Sequence, residues 1–239
     1  VWFYDCEYND DSEEVIKKVE KNLDYPVIVK PATLGSSVGI SSADNKQELI
    51  KAIEDAINYD SKVVVEEKVQ NLVEVNISVL GNYESQSLSE IEEVITEHSL
   101  LTYEDKYING GKKLGKSGMA SASRIIPAEI DEKLKEEVRD IAIHAFKAVG
   151  LSGDVRIDFL IDNKKKKVYI NEINPCPGSL AFYLWEPTGK SFTTLLDDMI
   201  TIGVKDYKRR VNKVHSFTTN ILSGYGGLKG AKGLKGKLK

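Results

Sequence analysis

Cysteine is nearly missing from this chain: across 239 residues only Cys6 and Cys176 occur. Two thiols rule out a disulfide framework and fit a reducing compartment, so a cytoplasmic location is expected. No apolar run approaches the ~20 residues needed to cross a bilayer. No charged-then-apolar leader opens the chain either, so neither a membrane partner nor secretion is expected. Histidine is scarce too. None of His98, His144 and His215 stands in a motif, which removes Ser/His/Asp and Cys/His chemistry from consideration. An excess of positive charge is also lacking: 33 Lys and Arg against 37 Asp and Glu leave a net charge of −4, with no global reason to expect nucleic acid.

What is present is ordinary for a soluble globular protein, at 41% hydrophobic and 29% charged residues. The length suffices for one large domain or two lobes. The chain opens at Val1, not Met, in an aromatic, strand-like stretch to Tyr4, and so reads as a piece of something longer. Ser12 is positioned to cap a helix carrying Val15, Ile16, Val19 and Leu23. Tyr25 to Lys30 reads as a short buried strand, followed by a Gly/Ser-rich turn from Gly35 to Gly39. Asp44 or Asn45 then caps a second helix with Leu49, Ile50, Ile53 and Ile57. Val63 to Glu67 and Val73 to Leu80 read as paired strands, and residues 83–97 remain β-like. Periodicity disappears from Tyr103 to Arg124, a length of loop that usually carries function or disorder. The clearest helix is predicted over Asp131 to Val149. Val155–Ile161 and Lys167–Asn171 read as a hairpin turning at Asp162-Asn163. A Pro/Gly corner, Pro175 to Gly178, precedes a last helix from Phe192 to Ile202. The Gly/Leu/Lys repetition of residues 224–239 reads as a solvated tail in preference to a basic arm for nucleic acid or lipid.

One tempting motif fails on context. Gly110 to Ser117 matches the P-loop expression, but that motif works only between a buried strand and a helix. Charged Tyr103 to Tyr107 on one side and Gly118 to Ala122 on the other supply neither.

Three weaker signals together make a better site. Lys30 ends an apolar strand beside the 35–39 turn, where a point charge and several small donors can surround a phosphate. Asp158 lies in a strand whose period-2 alternation puts residues 154, 156 and 158 on one face. Glu172 and Asn174 share a face at the end of the next strand. These side chains supply the hard oxygen ligands that Mg²⁺ shared with nucleotide phosphates requires. Glu67 and Glu74 could accept hydrogen bonds from a ribose or an adenine amino group, or be plain surface charges.

The ordered blocks Tyr25-Pro-Val-Ile-Val-Lys-Pro31, Gly35 to Gly39, Val65-Glu-Glu67 with Glu74, Val79 to Asn82, Tyr103 to Tyr107, Ile126 to Ala128, Arg156-Ile-Asp-Phe159, and Asn171-Glu-Ile-Asn174 with Pro177-Gly178 resemble the D-alanine–D-alanine ligase family of the ATP-grasp superfamily. The resemblance spans residues from about 25 to about 203. It implies an α+β fold of two lobes clasping ATP, with a small lobe at 1–85, a large lobe at 86–223 and the tail at 224–239. It further implies that Lys30 and Lys106 contact ATP phosphates, with Ser37 beside them. Glu67, with Lys68 and the backbone through Val69, would hold adenine, and Glu74 the ribose. Ser36, Glu74 and Tyr107 would form a hydrogen-bonded set beside the first substrate. Arg156 and the Gly178 amide would stabilise an oxyanion. Asp158, Glu172 and Asn174 would hold two Mg²⁺ ions, with Mn²⁺ able to replace them.

The implied activity is ATP-dependent formation of D-alanyl-D-alanine through an acyl phosphate, for peptidoglycan precursors. Two departures from the family qualify it. The family's N-terminal domain, with its ATP-covering lysine and its glutamate for the substrate amine, has no counterpart here, so this piece by itself should be poor or inactive at ligation. Its partners would be D-alanine or a similar small molecule and that missing domain, with a homodimer also allowed. In addition, Ser179 to Glu186 differs from the family's Thr and Ser pattern, which leaves the acceptor open: Ser179 or Tyr183 could donate a hydrogen bond, or Phe182, Tyr183 and Trp185 could be core aromatics. The competing readings are the same chemistry with another acceptor, or an ATP-binding module without catalysis.

Overall fold

The computed structural model describes residues 1–35, 37–95 and 124–214. Ser36, Lys106, Tyr107, the P-loop-like run at 110–117 and the tail lie outside them.

The chain first builds an antiparallel sheet from β1 (Trp2–Tyr4), β2 (Val27–Pro31), β3 (Ser41–Ala43) and β4 (Lys62–Glu67), in the order β1-β4-β2-β3. Alternation decides its faces: Val27, Val29, Val63 and Val65 are buried, while the residues between them are not. The buried set packs against α2 (Ser12–Asn22) and α3 (Lys46–Ala56) through Ile16, Val19, Leu49 and Ile53. A short α1 (Asp5–Asp10) leads into α2. The cap of α2 is Asp11, whose carboxylate accepts from the Glu14 amide at 2.9 Å, and Ser12 is the first helical residue. A carboxylate in that place also meets the positive end of the helix dipole. Asn45 caps α3, accepting from the Gln47 and Glu48 amides.

The second sheet is formed by β5 (Leu72–Gly81), β7 (Glu92–Val94), β8 (Arg124–Ile125), β9 (Gly153–Asp162) and β10 (Lys167–Asn174), in the order β10-β9-β5-β7-β8, with β6 (Gln86–Leu88) on the far end of β5. Helix α4 (Glu132–Val149) covers one face, setting Leu134, Val138, Ala142 and Phe146 on Val75, Ile77, Ile157 and Phe159. It stops at Gly150, which adopts φ 71°, the left-handed conformation glycine takes without a Cβ penalty. Helix α5 (Phe192–Val211) runs well past Ile202. Its later turns are held by polar tethers: Asp206 accepts from Asn82 at 2.9 Å, and Glu84 pairs with Lys205 at 2.6 Å and with Arg209. Apolar periodicity could not report that extension.

Two expectations need correction. The strands at 63–67 and 73–80 are not partners: β4 lies between β1 and β2, and β5 lies between β9 and β7. Each strand alternates correctly for its own sheet, and adjacency in sequence suggested a hairpin that the 68–71 link does not make. In consequence β5, which a division at 85/86 would place in the first lobe, is the central strand of the second sheet.

The turn after β2 closes on Gly39 at φ +71°, where an added Cβ would sit 2.8 Å from Pro31 Cγ and 3.0 Å from Tyr59 Cδ2. Gly39→Ala is therefore expected to destabilise the first lobe by roughly 1–3 kcal/mol. A fall in the denaturant midpoint would register this, and an unmoved midpoint would mean the turn relaxes freely.

Candidate active site

The uncovered face of the first sheet carries the first group. Lys30 and Ile28 project there from β2, opposite buried Val29, and Glu66 and Val64 project from β4. Ile28 pairs with Glu66 and Lys30 with Val64, so Lys30 and Glu66 are diagonal neighbours. Their ion pair closes at 2.6 Å with the side chains 21% and 43% exposed. Lys68 donates to Ser42 Oγ at 2.9 Å nearby. The loop after Lys30 is pinned at its base, where the Thr33 amide and hydroxyl both donate to Asp60 Oδ2 at 2.7 Å. These bonds hold the Asp60 carboxyl below its ordinary range. Ser37 adopts φ 61° in that loop.

Glu67 is elsewhere. It is the strand's last residue, 63% exposed and 3.5 Å from Lys165 of the β9–β10 turn. With Tyr25, Pro26, Lys68 and Gln70 it lines a hollow of about 380 Å³. The carboxylate beside Lys30 is Glu66, which the alternation of Val63 and Val65 puts on the opposite, uncovered face one residue further on.

The second group stands on the face of the second sheet opposite α4. In register, Glu172, Asp158, Asn76 and Glu92 form one row across β10, β9, β5 and β7, with Asn174, Arg156 and Ser78 in the next. A bulge creates the row. Ile170 pairs with Phe159 and Glu172 with Asp158, so Asn171 is the extra residue. Without it Glu172 would follow Ile170 toward the helix; the insertion turns Glu172 and Asn174 onto the face of Asp158. Arg156 grips Asp158 with two bonds, 2.6 Å from Nε and 2.8 Å from Nη2. Asn174 donates to Asp158 Oδ2 and to Glu172 Oε1, both at 3.1 Å. Burial raises the Asp158 carboxyl above its usual range; Arg156 pulls it back and Glu172 pushes it further up. Burial works against the Arg156 charge, but the bonds and charge of Asp158 outweigh it and hold the guanidinium more firmly protonated.

The corner at Gly178 delivers a third group. Ser179, Leu180 and Ala181 all take left-handed conformations, φ 53°, 52° and 44°, a run that costs roughly 1–2 kcal/mol per residue. The turn is held by the burial of Ala181, Leu184 and Trp185 and by the Glu90 amide donating to the Leu184 carbonyl at 3.0 Å. The aromatic cluster divides in two. Trp185 is core, its Nε1 donating to Asp154 at 3.2 Å, and Phe182 packs on Phe192 at 5.2 Å. Tyr183 instead reaches over the polar row and donates to Glu92 Oε2 at 3.1 Å. The guanidinium of Arg124 lies 4.3 Å above the Tyr183 ring, with its Nε 3.5 Å from Glu92.

The structure thus brings Arg156, Asp158, Glu172 and Asn174 together and places Lys30 with Glu66 on the other sheet. Contacts between the lobes include Lys165 to Glu67 and the Asn163 amide to the Asn71 carbonyl at 3.1 Å. Neither Lys30 nor Asp158 lines the Glu67 hollow or a groove of about 600 Å³ along α4 that includes Glu137, Ile141, His144 and Ile170. Asn76, Glu92 and Arg124 were not foreseen, because their facing depends on a strand order that no local pattern encodes.

Two α+β lobes of this topology constitute the ATP-grasp fold. The chain superposes on the VanG D-Ala:D-Ser ligase of Enterococcus faecalis with a TM-score of 0.68 at 30% identity, covering 84% of this chain and 55% of that one. On the D-alanine–D-alanine ligase of Coxiella burnetii the TM-score is 0.67 at 24% identity, with 88% and 53% covered. The family model described as D-ala D-ala ligase C-terminus matches residues 1–201, and the chain belongs to that family. A D-alanine–D-alanine ligase of Thermosipho melanesiensis is 42% identical over 219 residues, 91% of this chain and 57% of that protein. Ligase B of Clostridium tetani is 41% identical over 204 residues, 84% and 53%. The chain therefore spans little more than half the length of these relatives.

Proposed function

We propose that this chain is the nucleotide-binding and catalytic part of an ATP-dependent ligase that joins D-alanine to D-alanine for cell-wall precursors in the cytoplasm, working with an N-terminal domain of the same protein. The observation that carries the reading is the Glu172–Asp158–Asn174 group gripped by Arg156, inside the stretch matched by the family.

Lys30, with Lys106 and Ser37, neutralises the phosphates of ATP. Glu67, with Lys68 and the backbone through Val69, holds the base, and Glu74 holds the ribose. Ser36, Glu74 and Tyr107 position the first substrate. Its carboxylate attacks the γ-phosphate to give an acyl phosphate and ADP, a step that needs chiefly positioning and charge neutralisation. The acceptor amine then attacks the acyl carbon. Arg156 and the Gly178 amide meet the oxyanion before phosphate leaves.

The donor set fits Mg²⁺ (or Mn²⁺): two carboxylates and an amide carbonyl on adjacent strands are hard oxygen ligands lying within one another's hydrogen-bond reach. Asp158, Glu172 and Asn174 would hold two such ions, which when bound neutralise phosphate charge. Arg156 would have to release or share Asp158.

Lys30→Ala is expected to weaken MgATP binding about tenfold in a calorimetric titration. Unchanged affinity would place the phosphates elsewhere. D-alanine-dependent phosphate release by the full-length enzyme tests the ligase step. The same chemistry with another acceptor is a second reading, favoured by Tyr183 standing over the polar row.

A further inference from the structure

We propose that the outward face of α5, with the lysine-rich residues that follow it, is a docking surface for an anionic lipid membrane, on which the protein rests without spanning it. Two observations carry this, an exposed apolar stripe and a segregation of charge, and their union selects the partner.

Ile200, Val204, Tyr207 and Val211 recur four, three and four residues apart, so they stand in one row along α5. Val214 follows just past the helix. These five side chains belong to residues 47% to 84% exposed. The row faces away from Leu195, Met199 and Ile202, which pack the helix against Leu80 and Trp185. A helix that buries one apolar stripe and exposes another has a second surface to meet. The direction of the outer stripe is fixed. Asp206 accepts from Asn82 and Ser152 on the packed side, and Lys205 and Arg209 are committed there to Glu84.

Residues 207–239 contain nine Lys and Arg and no Asp or Glu, while the other 24 basic residues and all 37 acidic ones lie in the first 206. The net charge of −4 thus hides a strongly negative body and a strongly positive stretch. Lys208 flanks the stripe on one side and Arg210 on the other, with the Arg210 guanidinium 5.8 Å from the Tyr207 ring. The nearest acids along the helix, Asp197 and Asp198, precede the stripe. Lys213 and the Gly/Leu/Lys repetition of residues 224–239 extend the positive charge. Composition alone reads that repetition as solvated. The stripe leading into it supplies the apolar contact that lysines by themselves lack.

Nucleic acid would satisfy the lysines and leave the apolar row in water. A second copy of the chain would cover the row, but pairing about its midpoint would set Lys208 and Arg210 of one copy beside those of the other. An anionic bilayer surface meets both features. The valines and isoleucine enter the headgroup boundary, Tyr207 keeps its hydroxyl at the water, and the cations lie among lipid phosphates. The acidic body is held away from the surface, which orients the bound molecule.

The test is co-sedimentation of the full-length protein with phosphatidylcholine vesicles, with and without added phosphatidylglycerol. Partitioning onto the anionic vesicles is expected to exceed that onto neutral ones by about tenfold or more and to fall steeply as salt is raised. Val204→Ser combined with Tyr207→Ser, both at exposed positions, should lower it about tenfold with an unmoved melting temperature. Tyr59→Ser, at a comparably exposed tyrosine of the first lobe, should leave it unchanged. Lys208→Gln with Lys213→Gln should weaken it about fivefold for each charge removed. Equal partition onto both kinds of vesicle, no partition by the full-length protein, or indifference to the serine pair overturns the surface. Retention on duplex DNA that survives the serine pair, with vesicles left unbound, overturns it too and assigns the lysines to nucleic acid.

Discussion

Asp158→Asn is expected to lower ligation about a thousandfold while leaving the fold largely in place. The carboxylate accepts two bonds from Arg156 and one from Asn174, and it is the central anion of the proposed ion-binding group. Asparagine keeps its size but removes the charge and turns a donor toward the guanidinium. The loss should appear in phosphate release at saturating D-alanine and ATP, in the range seen when a group that stabilises transition-state charge is deleted. A stability cost accompanies it, because a partly buried Arg156 is left without its counter-ion, and breaking such a pair costs roughly 3–5 kcal/mol. A second change separates the two effects. Arg156→Met combined with Asp158→Asn should recover much of the denaturation midpoint and none of the activity. A single Asp158→Asn enzyme turning over near the normal rate would show that this carboxylate is structural and that the ions, if any, bind elsewhere.

How far this site could be read from the sequence depends on the range of each interaction. The facing of Lys30 and Asp158 was legible because each sits in a strand whose alternation is local, and it followed from the neighbouring valines and isoleucines. For Glu172 and Asn174 alternation showed only that they share a face; that it is the face of Asp158 depends on the Asn171 bulge, which no local pattern announces. The Lys30–Glu66 ion pair was not foreseen, although the alternation from Val63 puts Glu66 on the face of Lys30. Glu92 and Arg124 were not legible at all. Their strands are short, and their neighbours are decided by which strand adjoins β5, a matter of long-range pairing. The same ignorance made β4 and β5 look like a hairpin. For the aromatic run 182–185 the sequence offered either core or ligand contact, and the structure uses both, because a left-handed turn points successive side chains in directions that no regular period describes.

The thermal stability of the chain is expected to fall as pH rises from about 5 to 8, and Asp154→Asn should abolish that slope. Asp154 is 3% exposed. One of its oxygens accepts from Trp185 at 3.2 Å; the other, Oδ2, has no hydrogen-bond partner among the described residues, and neither has Ser78 Oγ on β5. Burial pushes its carboxyl up from 3.8 to about 7, with the indole bond pulling the other way. Between those values the folded chain holds a proton that the unfolded chain has released. Its contribution is therefore complete at low pH and is lost as pH climbs through 7, amounting to about 4 kcal/mol for three pH units. Groups held low, such as Asp60 and Glu84, titrate with the opposite sign but below this window. An asparagine accepts the Trp185 bond without ionising, so at pH 8 the variant should melt about 10 °C above the unaltered chain and at pH 5 only about 4 °C above it. Parallel melting curves from pH 5 to 8 would mean that the Asp154 carboxylate is solvated or paired. Should the slope appear, it will reach the active site by a short route: Asp154 holds Trp185, Trp185 closes the strained turn, and the turn carries both Gly178 and Tyr183 to the polar row.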